Sequence, residues 1–429
     1  MNILLVTNTF LPHVGGVARS VESFSRAYRQ RGHRVMVVAP RFPDMPTREH
    51  DVFRVNAWQR FNASDFSVAL PVYPGLSAAI DTFRPDIVHA QHPFLLGMTA
   101  LRTARYRDLP LVFTHHTRYE QYTHYVPGDS PALKRFAVTL ATRYANNCDQ
   151  VFAPSESIAA MIRKRGVTSP IAVVPTGVDI EMFNEGDGQA FRQRWGIPGD
   201  AFVVGHLGRL APEKNLQFLA ESIAGLLVRR PSAQALIIGS GPSENEIRAI
   251  FARYRVADRV HIAGVLQQKP LADALHAMDV FAFASRTETQ GMVVTEAMAA
   301  GLPVVALDGA GVREVVVDRK NGRLLMESNT DVFSAALDWV ASLPGPERSA
   351  LQRQARATAA RFSLVRCADL ALDHYAALLQ SRHPARDHEW AEGEDVMAWI
   401  RGEWAVLKSL AEAGDAAIGS ATLQDEREF

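Results

Sequence analysis

Short apolar runs rich in β-branched residues alternate with amphipathic stretches along most of the chain. Residues 2–6 (NILLV) predict a buried parallel strand. The spacing over 17–31 predicts a helix ended by Gly32, and 35–39 a second strand stopped by Pro40. Such a β-loop-α-β unit opens a doubly wound sheet. Residues 41–73 read as irregular, with short strands in VFRVNAW and FSVAL. The alternation resumes with strands at 86–90, 111–114, 149–153 and 171–174. Helices are expected at 76–83, up to about 106, at 131–146 and at 155–164, the last with Ser155 as N-cap. A polar stretch at 175–198 reads as a linker. A second alternation follows, with strands at 202–207, 234–238, 260–263, 280–283 and 303–306 and another in NGRLL. Its helices are expected at 216–229, 243–254, 270–278, 292–300, 332–341 and 349–362, with a short one at 313–317. The expected class is α/β: two doubly wound domains facing a cleft. Their bounds are 1–180 and 181–363, with a crossover helix in 364–385 and a tail over 386–429.

Length agrees, since 429 residues exceed one ordinary core. Lys+Arg and Asp+Glu are both 46, which argues against nucleic acid as a partner, because such binders carry a basic excess. Two cysteines, Cys148 and Cys367, with no CxxC, point to neither a disulfide framework nor a zinc site. No apolar run reaches the ~18 residues needed to span a bilayer. The chain opens directly into a strand, with no basic leader segment. The expected location is the cytoplasm, with attachment to the inner membrane face left open.

Candidate chemistry centres on 286–301, RTETQGMVVTEAMAAG. Glu288 and Glu296 stand eight apart with Gly291 between them. A strand, a polar loop and a helix start expose backbone N–H groups that favour an anion. Two carboxylates there suit two hydroxyl-rich parts of one ligand with a phosphate between. The alternative is that Glu288 caps the helix and Glu296 sits on a solvated face. In GRLAPEKN, Arg209 and Lys214 either clamp a diphosphate or are surface charges. The turn GSGP lacks the third glycine of a dinucleotide loop. Gly15 and Gly16 either admit a ligand to the backbone or form a plain turn. His92 and His116 lie with them beyond strand carboxyl ends, where α/β sheets bind ligands. Tyr119, Tyr122 and Tyr125 precede a helix with Lys134, Arg135 and Arg143. They read either as an interfacial patch or as aromatic cover over a loop. In the tail, Trp390, Trp399 and Trp404 accompany Val396, Ile400, Leu407 and Leu410 near one helical face. Its acidity argues for a docked helix or partner contact rather than an anionic-lipid anchor. Residues from about 417 read as disordered.

The E-x7-E pair inside TETQGMVVTEAMAAGLPVVA, with GRLAPEKN, IIGSGP, PTGVD and the early GG loop, resembles the retaining glycosyltransferases of family 4. The resemblance spans residues 2–380 and implies the GT-B fold of two Rossmann-like domains. It implies that Arg209 and Lys214 bind a donor diphosphate, Glu288 the sugar hydroxyls and Glu296 the ribose. Amides at Gly291, Met292 and Val293 join the donor set, with Gly15, Gly16, Gly208 and Val265. His116 matches the family's active-site histidine near the sugar's 6-position, with His115 as the neighbour that confuses the register. The implied catalytic set is His116, Arg209, Lys214 and Glu288, with no metal ion and no cofactor. A narrower resemblance, HTRYEQYTHYVPG to diacylglycerol glucosyltransferases, implies a lipid hydroxyl acceptor near Tyr119, Tyr122 and Tyr125 and a UDP-glucose-like donor. A saccharide or lipid-linked oligosaccharide acceptor is the second reading. A nucleotide-sugar epimerase and a non-catalytic sugar-nucleotide scaffold are other classes. An NAD dehydrogenase is disfavoured for want of GxGxxG.

Overall fold

The computed structural model describes residues 1–13, 15–47, 49–58, 68–69, 73–121, 123, 130–381 and 408–417. The chain divides into two compact units, Met1–Gly177 with Val365–Phe429, and Val178–Leu364.

In the first unit the strands are β1 (Asn2–Val6), β2 (Arg34–Pro40), β3 (Val52–Val55), β4 (Ala57–Trp58), β5 (Val68–Ala69), β6 (Ile87–Ala90), β7 (Leu111–Thr114), β8 (Gln150–Ala153) and β9 (Ile171–Val173). Seven form a parallel sheet ordered β3-β2-β1-β6-β7-β8-β9, while β4 and β5 form a separate antiparallel ribbon. The continuous apolar runs follow from burial on both faces. On the helix Gly16–Gln30, Ala18, Val21, Ser25 and Tyr28 turn one stripe inward. Tyr28 meets Tyr375 of the helix Leu364–Ser381, hydroxyl to hydroxyl at 3.3 Å. Arg31 pairs with Asp369 at 2.5 Å on the same helix, so that segment closes the first unit's core.

A tail helix at 408–417 docks on the helix Pro131–Ala145. Glu412 pairs with Arg143 at 2.7 Å. Arg135 donates to the carbonyls of Ala416 and Ala417, and Ser409 and Ala413 are buried. Leu410 stays exposed. Trp390, Trp399, Trp404, Val396, Ile400, Leu407 and the last twelve residues, 418–429, lie outside the described residues. No described helix is long and apolar enough to cross a membrane. Cys148 and Cys367 are buried thiols.

In the second unit the strands are β10 (Val203–Leu207), β11 (Gln234–Ile238), β12 (Val260–Ile262), β13 (Val280–Phe283), β14 (Val304–Leu307) and β15 (Gly322–Leu325). They form one parallel sheet ordered β12-β11-β10-β13-β14-β15, with an apolar cluster on each face.

Two local expectations change. The polar stretch read as a linker carries the short helices Ile180–Asn184 and Gly188–Trp195, capped by Asp179 and Asp187. Phe183 and Phe191 anchor them in the second core, and Gly188 fits because a Cβ there would lie 2.1 Å from the His276 carbonyl oxygen. The short helix expected at 313–317 is instead a run of turns. The Asn321 side chain takes the Val317 N–H at 2.8 Å, so the helical ladder stops after one turn.

In both sheets the order reverses beside the first strand of the unit: between β1 and β6, and between β10 and β13. These are the switch points where open α/β sheets hold ligands.

Candidate functional site

The second unit gathers the loops after β10 and β13 across its switch point. Lys214 Nζ donates to Glu288 Oε1 at 2.5 Å. Thr287 Oγ1 donates to the Glu213 carbonyl at 3.3 Å, and Asn215 Nδ2 to the Ala284 carbonyl at 3.3 Å. Burial pushes the Glu288 carboxyl up, but the Lys214 charge and hydrogen bond, the Ser285 hydroxyl and the His206 ring together bring it below the ordinary value. Both partners are therefore charged, and water still reaches them, with 17% of the Lys214 and 19% of the Glu288 side chain exposed. Arg209 stands exposed on the same loop, beside Gly208.

Gly291, at φ 72°, occupies the left-handed region and opens the helix Met292–Ala299 without a side-chain cap. Met292 and Val293 are half-buried there. Glu296 is only 4% exposed, which removes the solvated-face reading. Val265 is exposed on the loop after β12.

Sequence reasoning missed what supports these loops. A Cβ on Gly239 would lie 1.9 Å from the Gly208 carbonyl oxygen, and one on Gly241 2.4 Å from that of Leu210. Leu210 N–H bonds the Ser240 carbonyl at 2.9 Å, and Ser243 N–H bonds that of Leu210 at 2.9 Å. The GSGP glycines thus seat the Arg209 loop. Likewise a Cβ on Gly311 would lie 2.3 Å from Gln290 Cα, and Gly311 N–H bonds the Glu288 carbonyl at 3.2 Å. The signal was present as glycines, but their partners are remote in sequence. His206 was also missed. It is buried, stacks on Phe281 and Phe283, and donates through Nδ1 to the Ala282 carbonyl at 3.0 Å. Burial lowers its pKa to about 4, so the ring beneath Gly208 is neutral.

In the first unit, Gly15 is the extended N-cap of the helix Gly16–Gln30, which has no side-chain cap and no acidic residue in its first turn. Of the two adjacent histidines, His115 turns inward, edge-on to Phe113 and Tyr119. His116 is half-exposed, and its Nε2 meets Gln91 Oε1 at 2.6 Å. Burial first, then the neighbouring His92, His89 and His115, holds His116 well below the usual imidazole range. His92 is structural: its buried Nδ1 accepts the Asn8 N–H at 3.1 Å. Burial lowers its pKa to about 3.

The aromatic patch needs correction. Tyr119 is 8% exposed and packs edge-on to Phe94 and His115, so it lies in the core and not at a surface. Tyr122 and Tyr125 lie outside the described residues. Arg135 and Arg143 of the adjacent helix hold the tail helix. Glu120 of the same motif is a buried anchor, taken bidentately by Arg165 at 2.9 and 3.2 Å and by Arg118 at 3.3 Å. Burial raises its carboxyl but the two guanidiniums bring it lower, so it stays ionised.

The second-unit site offers an ammonium, an exposed guanidinium, uncapped helix amides and a carboxylate within one loop cluster. That set suits a group that is anionic at one end and hydroxyl-rich at the other. The chain matches the family model described as Glycosyltransferase Family 4 over residues 14–182, and that described as Glycosyl transferases group 1 over 187–358. It is 31% identical over 389 residues to a GDP-mannose-dependent alpha-mannosyltransferase of Mycolicibacterium smegmatis, covering 89% of this chain and 99% of that one. It is 27% identical over 357 residues to the alpha-monoglucosyldiacylglycerol synthase of Streptococcus pneumoniae, covering 80% and 79%. Anabaena HepE, solved in complex with UDP, shares the fold with a TM-score of 0.69 at 21% identity, over 88% of this chain and 100% of that one.

Proposed function

This chain belongs to glycosyltransferase family 4, and on that premise we propose that it moves a hexose from a UDP-glucose-like donor to a hydroxyl of diacylglycerol at a membrane surface. The chain is a hexosyltransferase by kinship; donor and acceptor are the proposal. Lys214 against Glu288 at the second unit's switch point carries it.

Breaking the sugar C1–O bond leaves an oxocarbenium-like ring and places negative charge on the nucleotide diphosphate. Lys214, Arg209 and the amides at Gly291, Met292 and Val293 stabilise that growing charge. Glu288 accepts from the sugar hydroxyls and Glu296 from the ribose. Gly208 and Val265 border the donor. Gly15, Gly16 and His116 of the first unit serve the same transfer. The acceptor oxygen bonds C1 on the face the diphosphate leaves, and its proton passes to the departing phosphate oxygen. Atoms and charge balance without a protein base or a metal ion.

The relative named for diacylglycerol supports the lipid acceptor. The relative named for GDP-mannose favours a different donor, a mannosyl one.

The test is product analysis by mass spectrometry. Purified protein is mixed with UDP-glucose, UDP-galactose or GDP-mannose, with and without diacylglycerol vesicles, in excess EDTA. A new glycosyldiacylglycerol from UDP-glucose is expected. Donor hydrolysis with no glycolipid sinks the lipid acceptor. Conversion of donor alone to its epimer sinks transfer, and loss of product in EDTA sinks metal independence.

A further inference from the structure

The His116 ring meets the side chain of Gln91. Gln91 directly follows β6, and its backbone N–H bonds the Val6 carbonyl at 2.9 Å, carrying the pairing of β1 and β6 one residue past the strand end. Its side chain is buried, and Oε1 lies 2.6 Å from His116 Nε2. His116 is itself tied at the backbone, its N–H bonding the Thr114 carbonyl at 3.0 Å. Both partners line a small cavity of about 20 Å³, where His89, Thr114, Ser20 and Thr176 form a polar edge against apolar walls such as Val21 and Phe152. That is room for about one water. Gln91 thus sits at the first sheet's switch point and reaches His116, 25 residues further along the chain.

A neutral imidazole has one N–H and one lone pair, and the hydrogen bond at one nitrogen decides which is which. An amide oxygen only accepts. With Oε1 at Nε2, the proton resides on Nε2 and the lone pair on Nδ1. We propose that Gln91 is a positioning residue: its side-chain oxygen holds His116 as the Nε2–H tautomer and fixes the ring plane for the transfer reaction. This rests on His116 taking part in that reaction. It also explains why a glutamine, with a neutral acceptor, occupies the position. A carboxylate there would draw a second proton onto the ring.

The experiment uses the full chain labelled with ¹⁵N-histidine. The His116 signal is identified by its loss in His116→Asn. Wild type is expected to show a protonated Nε2 and an unprotonated Nδ1. In Gln91→Leu the two tautomers should mix, and kcat should fall about 10²-fold, the scale of a misplaced reacting group, with KM for UDP-glucose within a factor of about two. Gln91→Glu keeps an acceptor, so Nε2 should stay protonated while the ring titrates at higher pH than in wild type. A wild-type signal protonated at Nδ1 overturns the proposal without relying on any variant's folding. So does a Gln91→Leu tautomer unchanged from wild type. Full transfer activity in His116→Asn also overturns it, by removing the role being positioned. That last result is distinguishable, because it leaves the tautomer spectra as expected while the family activity persists.

Discussion

At Glu288 burial and charge pull in opposite directions, and the charge wins. Desolvation alone would raise this carboxyl, but Lys214 at 2.5 Å and the Ser285 hydroxyl hold it below its ordinary value. A folded pKa below the unfolded one means that the ion pair contributes stability above the unfolded carboxylate's pKa. That contribution is lost as pH falls through the folded value. In Lys214→Met the burial remains and the attraction goes, so the Glu288 pKa should rise and the acid limb of the pH–rate profile should move to higher pH. We expect kcat/KM to fall about 10²- to 10³-fold with an unchanged far-UV circular dichroism spectrum. An unmoved acid limb would remove Glu288 from the ionised role given to it. At the same scale, the sequence put His92 at the same sheet edge as His116, and His115 beside it in the chain. Their rings go to Asn8 and to the aromatic core, and only His116 meets the neutral acceptor Gln91.

The elements of the second unit are ordinary strands and helices, and their loops are seated by glycines. Gly239 and Gly241 give way to the Arg209 loop, and Gly311 to the loop bearing Glu288. We therefore expect Gly311→Ala to push Gln290 aside, since its Cβ would lie 2.3 Å from Gln290 Cα. Thermal unfolding should show a loss of about 1–3 kcal/mol, as for overpacked cores, with a larger proportional loss of transfer. Gly345→Ala is the control. A Cβ there meets nothing within 4 Å, and the position opens the helix Gly345–Arg361. It should be neutral or stabilising by up to about 1 kcal/mol. Equal effects from the two substitutions would refute loop seating. Helix and strand positions were readable from periodicity, because the central strands are buried on both faces and most helices bury one stripe. The turns at 310–315 were not, because the Asn321 side chain that ends them comes from beyond the segment.

Across the whole molecule the charge balance is even, 46 against 46, and acid stability falls to buried histidines. His89 and His92 have pKa values lowered to about 3, and His115 and His206 to about 4, each chiefly by burial. A histidine with a folded pKa below its unfolded value of 6.5 favours folding above pH 6.5. That contribution drains away as pH drops from there toward 4. Glu120 and Glu288, held below the ordinary carboxyl value, also lose stabilising free energy as pH falls, so they act in the same direction and do not offset it. Melting temperature should therefore fall steeply between pH 6.5 and pH 4 in scanning calorimetry. Three of the four rings belong to the first unit, so His89→Asn should flatten the slope. A flat profile over that range would contradict the neutral buried state of these rings.

The alternation of apolar runs with amphipathic stretches by itself determined two doubly wound sheets, because burial on both strand faces leaves a continuous hydrophobic signature. The loop motifs likewise marked Arg209, Lys214, Glu288 and His116, since polar residues and glycines past strand ends are visible as interruptions of that pattern. Tertiary structure alone decided that Glu296 is buried, that Tyr119 is core, that the GSGP turn supports a loop and that Gln91 holds His116. Each of those outcomes is a contact between segments far apart in sequence. Periodicity is a local property of the chain and carries no information about which remote backbone or side chain fills the space beside a residue.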